Sequence, residues 1–230
     1  MDPGSIVSGV MANAIWWILL VVFITPVVYY LGRYGRGFFR NLALARKIHD
    51  HGINRFVFSR HEYPERLDAY LNRARRSIKI VSISFKLTSD ECQLGELFRR
   101  KIAAEPTFEV YISLLRPGSD AARLAAASLD VKPEALDKEI GDMLGELKTL
   151  RAGLPPADYG RLLILTHDFM PMGSAIMLDA DHPDGTIQVE TKLYKAPRSE
   201  SFSYQARAGS PFFERNLKSW NRVITESQPA

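Results

Sequence analysis

The sequence predicts a mixed α/β sandwich preceded by a single membrane-spanning helix. Three observations carry that expectation. No Asp, Glu, Lys or Arg occurs from Pro3 to Gly32. The chain then alternates strand and helix patterns as far as Leu115. Its second half is a series of short strand candidates closed by one amphipathic helix.

The apolar core of the first segment runs from Val10 to Leu31, with Asn13 and Thr25 its polar residues. At about 1.5 Å of rise per residue, roughly 20 such residues cross a bilayer core about 30 Å thick. Trp16 and Trp17 lie toward one end and Tyr29 and Tyr30 at the other, as interfacial aromatics do. A cleaved signal peptide would carry a basic leader and a small-residue cleavage site. Here the leader carries Asp2 and no Lys or Arg. Arg33, Arg36, Arg40, Arg46 and Lys47 follow the span, so the positive-inside rule sends the N-terminus outward and the rest into the cytosol. The expected boundaries are an extracytoplasmic 1–9, a span at 10–31, a basic connector at 32–53 and a cytosolic domain at 54–226.

The net charge of +4 resides beside the span. Residues 31–60 hold Arg33, Arg36, Arg40, Arg46, Lys47, Arg55 and Arg60 against one acid, Asp50. Anionic lipid headgroups are the partner that this placement implies, at about 1 kcal/mol per basic residue near the surface. A nucleic-acid partner is correspondingly disfavoured. The lone Cys92 fits an intracellular domain better than a disulfide-bonded one.

Within the domain, Arg55–Ser59 alternates as a short strand. Pro64–Arg76 places Leu67, Tyr70, Leu71 and Ala74 on one helical face. Ser77–Phe85 is β-branched and apolar on both faces, which suits a central strand. Cys92–Ala104 is helical, and Phe108–Leu115 is a second buried strand stopped by Arg116-Pro117-Gly118. This β-α-β-α-β order argues for parallel strands with right-handed crossovers. Ser119–Ser128 and Pro133–Arg151 are two further helices, the second with Leu136, Ile140, Met143, Leu144, Leu147 and Leu150 at helical spacing. Arg161–Thr166, Ser174–Asp179, Thr186–Tyr194 and Phe202–Arg207 read as strands, with Asp184-Gly185 a tight-turn signal between the middle two. Ser210–Ile224 closes the domain as a helix with Phe213, Leu217, Trp220 and Ile224 on one face.

Phosphate-loop, dinucleotide, zinc-protease, CxxC and GxSxG signatures are missing, and no two histidines of the domain have metal-ligand spacing. The expectation is no metal and no cofactor. Open α/β sheets take ligands at the carboxyl ends of their strands. Those ends supply Ser84 and Lys86, then Arg116 and Ser119, then His167 and Asp168. Two readings of Arg116–Asp120 stand side by side. Its Gly-containing turn could offer free N–H groups to an anion at a helix N-terminus, or Ser119 could simply cap that helix. A second cluster is Gln188, Glu190 and Lys192, which alternation puts on one strand face beside Ser174. That face is either solvated or the wall of a cleft.

The order of elements, together with YPERLDAYLNRARRSIKIVSIS, FEVYISLLRPGS and GSAIMLD, resembles the phospholipase D-like fold over roughly Asn54–Ile224. That family carries His-x-Lys-x4-Asp followed by a Gly-Ser pair. Anchored on Asp179, the spacing puts Met172 at the histidine and Ser174 at the lysine, and Gly173-Ser174 falls ahead of the aspartate. The resemblance therefore implies a degenerate member, in which His167 is the one nearby histidine able to act as nucleophile or base. It implies a homodimer, and a membrane-anchored sensor for a phosphate-bearing or nucleotide-like ligand or a protein partner, of a kind used in bacterial defence or signalling. A divergent phosphodiesterase or nuclease is the second expectation and a structural membrane scaffold the third.

Overall fold

A computed structural model describes residues 45–58, 62–85, 88–89, 92–171, 173–196 and 201–230. The expected span, and with it Arg33, Arg36 and Arg40, lies outside the described residues. No helix among the described residues is long and apolar enough to cross a membrane. Residues 45–50 are helical and exposed, and they include Arg46 and Lys47. The chain divides into two compact units, Met1–His49 and Asp50–Ala230.

The second unit is built on an eight-stranded mixed sheet. Its strands are β1 (Ile53–Val57), β2 (Ser77–Ser82), β5 (Glu109–Leu115), β6 (Leu162–His167), β7 (Gly173–Leu178), β8 (Thr186–Thr191), β9 (Ser203–Arg207) and β10 (Gln228–Pro229). Two short strands, β3 (Thr88–Ser89) and β4 (Cys92–Gln93), pair separately. The spatial order is β1-β9-β8-β7-β2-β5-β6-β10. β2, β5 and β6 are mutually parallel, as the alternating first half leads one to expect. β7, β8, β9 and β1 continue the sheet antiparallel. β10 adds an antiparallel strand outside β6.

Helices cover both faces. On one side, α1 (Leu67–Asn72), α2 (Leu94–Ala104), α3 (Asp120–Leu129) and α4 (Pro133–Ala152) bury Leu71, Phe98, Ala125 and Leu147 against Ile78, Ile80, Ile112 and Ile164. All of the α4 residues expected on its apolar face are buried. On the other side, α5 (Pro211–Glu226) packs Phe213 and Trp220 on Val81, Met177, Ile187 and Ala206. β2 sits centrally with both faces covered, which explains its buried Ile78, Ile80 and Val81, while Lys79 reaches out to pair with Asp181 at 2.7 Å.

Several boundaries move, β8 for example stopping at Thr191 rather than Tyr194, and three of the shifts have a visible cause. The first helix is shorter than the expected Pro64–Arg76, because the Asp179 carboxylate draws the N–H groups of Arg75, Arg76 and Ser77 out of helical pairing. β2 ends at Ser82 rather than Phe85, where the Ser82 hydroxyl donates to the Ser84 carbonyl. The β7–β8 connection is not a two-residue hairpin at Asp184-Gly185. It folds as two successive turns, with His182 N donating to the Asp179 carbonyl and Gly185 N to the His182 carbonyl, each at 2.9 Å.

Candidate functional site

The parallel strands end at Ser82, Leu115 and His167, and the same end of the sheet holds the start of β7, the end of β8 and the start of β9. Register places Ser174 opposite Glu190, and Glu190 opposite Ser203. Directly opposed residues share a face on neighbouring strands about 4.8 Å apart. The result is a polar row across the strand ends. The Ser82 and Ser174 hydroxyls lie 2.8 Å apart. Lys192 donates to Glu190 at 2.5 Å, and both side chains are largely withdrawn from solvent. One row further along the same face, Gln205 donates to Gln188 at 3.2 Å and both are buried. Ser84 donates to Glu139 of α4 at 2.7 Å, tying the β2 end to the helix layer.

Among the described residues, Ser203 Oγ and His167 Nε2 are buried in this region with no hydrogen-bond partner. Each such orphan costs about 1–3 kcal/mol. His167 is only 1 % exposed, and its Nδ1 lies 2.9 Å from the Phe169 carbonyl. A carbonyl only accepts, so Nδ1 carries the proton and Nε2 presents a lone pair.

Burial pushes the His167 pKa below the ordinary histidine value, against the opposing pull of the Phe169 and Ser82 backbone and of the Asp168 charge. The unfolded chain therefore takes up the proton first. Stability contributed by the neutral ring is intact above about pH 6.5 and declines as pH falls below it. We expect the unfolding free energy to drop more steeply from pH 7.5 to 5 in the wild-type chain than in His167→Gln. The difference is at most about 1.4 kcal/mol per pH unit. Parallel pH profiles for the two proteins would show that burial of the ring is not linked to folding.

The other expected residues divide. Ser84, His167, Ser174, Glu190 and Lys192 belong to the strand-end region. Lys86 lies outside the described residues. Arg116 turns toward the β6–β10 side, where it pairs with Asp168 at 3.2 Å and donates to Gln228 at 2.8 Å. Ser119 caps α3, accepting from Ala122 N at 3.0 Å, while the neighbouring Gly118 N–H is taken by Asp137 at 2.8 Å. The capping reading thus accounts for this turn, and its groups serve internal bonds. Asp179, the residue that matches the aspartate of the family motif, lies at the opposite end of the sheet. It accepts three backbone N–H groups there.

Reading strand ends alone missed Ser82 and Ser203. Both are buried where their strands meet the row, Ser82 at the end of β2 and Ser203 at the start of β9. Among the described residues no group of His, Cys, Asp and Glu is arranged to hold a metal.

No family model matches this chain, and no curated protein matches it. Solved structures similar to it include TrmBL2, an archaeal chromatin protein described as showing a novel mode of DNA binding. That likeness has a TM-score of 0.43 at 10% identity and covers 100% of this chain and 72% of the other. Two further solved structures are also similar. Nuc from Salmonella typhimurium, a phospholipase D family member, has a TM-score of 0.37 at 15% identity, covering 71% of this chain and 87% of its own. Phosphatidylserine synthase from Haemophilus influenzae Rd KW20 has 0.39 at 12%, covering 76% and 39% respectively. These values are too low for the likenesses to carry an argument about activity, so the functional reading rests on the residues.

Proposed function

We propose that this chain is a membrane-anchored cytosolic domain of phospholipase D-like build whose strand-end row binds a phosphate-bearing, nucleotide-like ligand without hydrolysing it. The observation that carries the reading is the composition of the row. A withdrawn Lys192–Glu190 pair stands beside the Ser82–Ser174 hydroxyl pair and the unpartnered Ser203 Oγ. Lys192 and the Ser203 hydroxyl offer donors to phosphate oxygens, the Ser82 proton going to the Ser84 carbonyl and the Ser174 proton to Ser82, while Glu190 and the Ser174 oxygen offer acceptors to a sugar hydroxyl or a base amino group. A ligand with both kinds of group suits this mixture better than bare phosphate.

The argument against hydrolysis is geometric. A histidine nucleophile or base is ordinarily oriented by a carboxylate. Here a backbone carbonyl holds Nδ1, and Asp168 is paired with Arg116. The divergent-phosphodiesterase reading rests on the unpartnered His167 Nε2.

Calorimetric titration of the full chain in detergent with mono-, di- and cyclic nucleotides tests the proposal. Saturable binding is expected, weakened about tenfold or more in Ser174→Ala and Lys192→Ala. With bis(p-nitrophenyl) phosphate as substrate, His167→Ala is expected to change turnover by less than tenfold. A loss of about 10²–10⁴-fold, the usual contribution of a general acid or base, would favour the enzyme reading. Absence of saturable binding to any nucleotide would remove the ligand.

Anchoring is part of the same proposal and has its own check. A reporter fused after Ala230 is expected to be active only in the cytosol. Neutralising Arg33, Arg36, Arg40, Arg46 and Lys47 together is expected to scramble that orientation. A two-fold homodimer, the commonest closed arrangement, completes the proposal. Sedimentation of the detergent-solubilised chain as a monomer at micromolar concentration would refute it.

A further inference from the structure

The sheet has a second polar end, away from the strand-end row, where the α1–β2 turn and the β7–β8 connection face each other across a groove. The lining of the groove includes Arg73, Arg75, Arg76, Lys101 and His182 together with Asp179 and Asp184. We propose that this groove is an anion site that accepts a multiply ionised phosphate group, from a soluble phosphorylated molecule or from an anionic lipid headgroup.

Three features support it. First, cations outnumber carboxylates in the lining, with Arg73, Arg75, Arg76 and Lys101 against Asp179 and Asp184. The Arg75 side chain makes no hydrogen bond or ion pair among the described residues, and Arg76 points at the His182 ring, with Nη1 to Nε2 at 3.3 Å. A guanidinium only donates, so His182 Nε2 is the acceptor there and the ring supplies no negative charge. Of the three arginines, Arg73 has a carboxylate partner among the described residues, Glu65 at 3.0 Å.

Second, the turn is pre-organised. Asp179 sits in the left-handed region at φ 46° and accepts the N–H groups of Arg75, Arg76 and Ser77 at 2.8, 2.7 and 2.8 Å. Both its oxygens are committed to the turn, which fixes the backbone that carries the two arginines. Lys101 fastens the same turn from α2, donating to the Asn72 and Ala74 carbonyls at 2.7 and 2.6 Å. One of its three ammonium hydrogens remains for a ligand.

Third, the donor type selects the ligand. Guanidinium forks match phosphate oxygens in pairs, where a lysine offers a point charge. Arginines on a fixed turn lose less freedom on binding than arginines on a mobile loop.

The site is independent of the strand-end reading, and the experiment separates the two. The full chain in detergent is titrated with inorganic pyrophosphate and with dihexanoyl phosphatidic acid below its micellar concentration. Wild type is expected to bind at least one of them saturably, more weakly as salt rises from about 0.05 to 0.3 M. Arg75→Ala with Arg76→Ala is expected to weaken that binding at least tenfold with an unchanged unfolding midpoint. Arg75→Lys alone is expected to give a smaller loss, since charge is kept and the fork is lost. Tighter pyrophosphate assigns a soluble source, and tighter lipid assigns a headgroup. No saturable binding below about 5 mM of either probe overturns the proposal. So does binding that survives the double variant, including binding lost instead in Lys192→Ala, which would belong to the strand-end row.

Discussion

Asp179→Ala is expected to destabilise the domain by about 3 kcal/mol, among the largest effects of any single polar substitution here. The carboxylate accepts three consecutive backbone N–H groups, those of Arg75, Arg76 and Ser77. Removing it strands donors that each cost about 1–3 kcal/mol when buried, less where water reaches them. Ser77 is buried, while Arg75 and Arg76 are exposed, so the full penalty falls mainly on one amide. Alanine also tolerates the left-handed φ of 46° poorly, at roughly 1–2 kcal/mol. An asparagine side chain would keep one acceptor oxygen and tolerate that backbone, so Asp179→Asn is expected to lose less than half as much. Chemical denaturation of wild type and the two variants measures the series. Equal loss in both variants would mean that charge, and not backbone capping, is what position 179 supplies.

Gly173→Ala is expected to cost a similar amount, about 3 kcal/mol, and to disturb the strand-end row as well. A Cβ at Gly173 would lie 2.0 Å from the Glu190 carbonyl oxygen and 3.0 Å from Thr191 Cα. Those are backbone atoms of β8, so no rotamer change relieves the contact, and β7 must move away. Overpacking of this kind typically costs about 1–3 kcal/mol or more. Because Ser174 and Glu190 face each other one residue further along, the shift is expected to weaken nucleotide binding beyond its effect on stability. A Gly173→Ala protein with wild-type stability would show that β7 and β8 can separate there freely.

These two residues also mark what could be read in the chain. The helices and central strands were legible because their signals are local. The Ile, Val and Leu of β2 and β5 alternate over buried faces, and α4 repeats Leu and Ile at helical spacing. The strand-end rule pointed to Ser84 and His167, and alternation along one strand face pointed separately to Glu190 and Lys192 beside Ser174. What escaped is non-local. Nothing in Pro64–Arg76 announces that a carboxylate far along the chain will claim its last amides and end the helix early. The Arg116–Asp120 turn carried two meanings because a capped helix and an anion cradle share residue types. Asp137, which takes the Gly118 N–H, comes from the following helix. Ser82 and Ser203 were missed because serine has no strong preference that separates a buried row from a solvated strand.

The short strand β10 bears on how this sheet meets other chains. A sheet margin with unpaired amides and carbonyls is a template on which a second protein can add a strand. Gln228 and Pro229 lie against Thr166 and Leu165 of β6, and Ala230 N donates to the Ile164 carbonyl at 3.1 Å. Pro229 has no N–H to offer outward. Residues 228–230 thus cover part of the outer edge of β6. Trimming them would uncover the long parallel margin of β6, and the visible outcome would be turbidity and fibre-type dye binding rather than any change in ligand affinity.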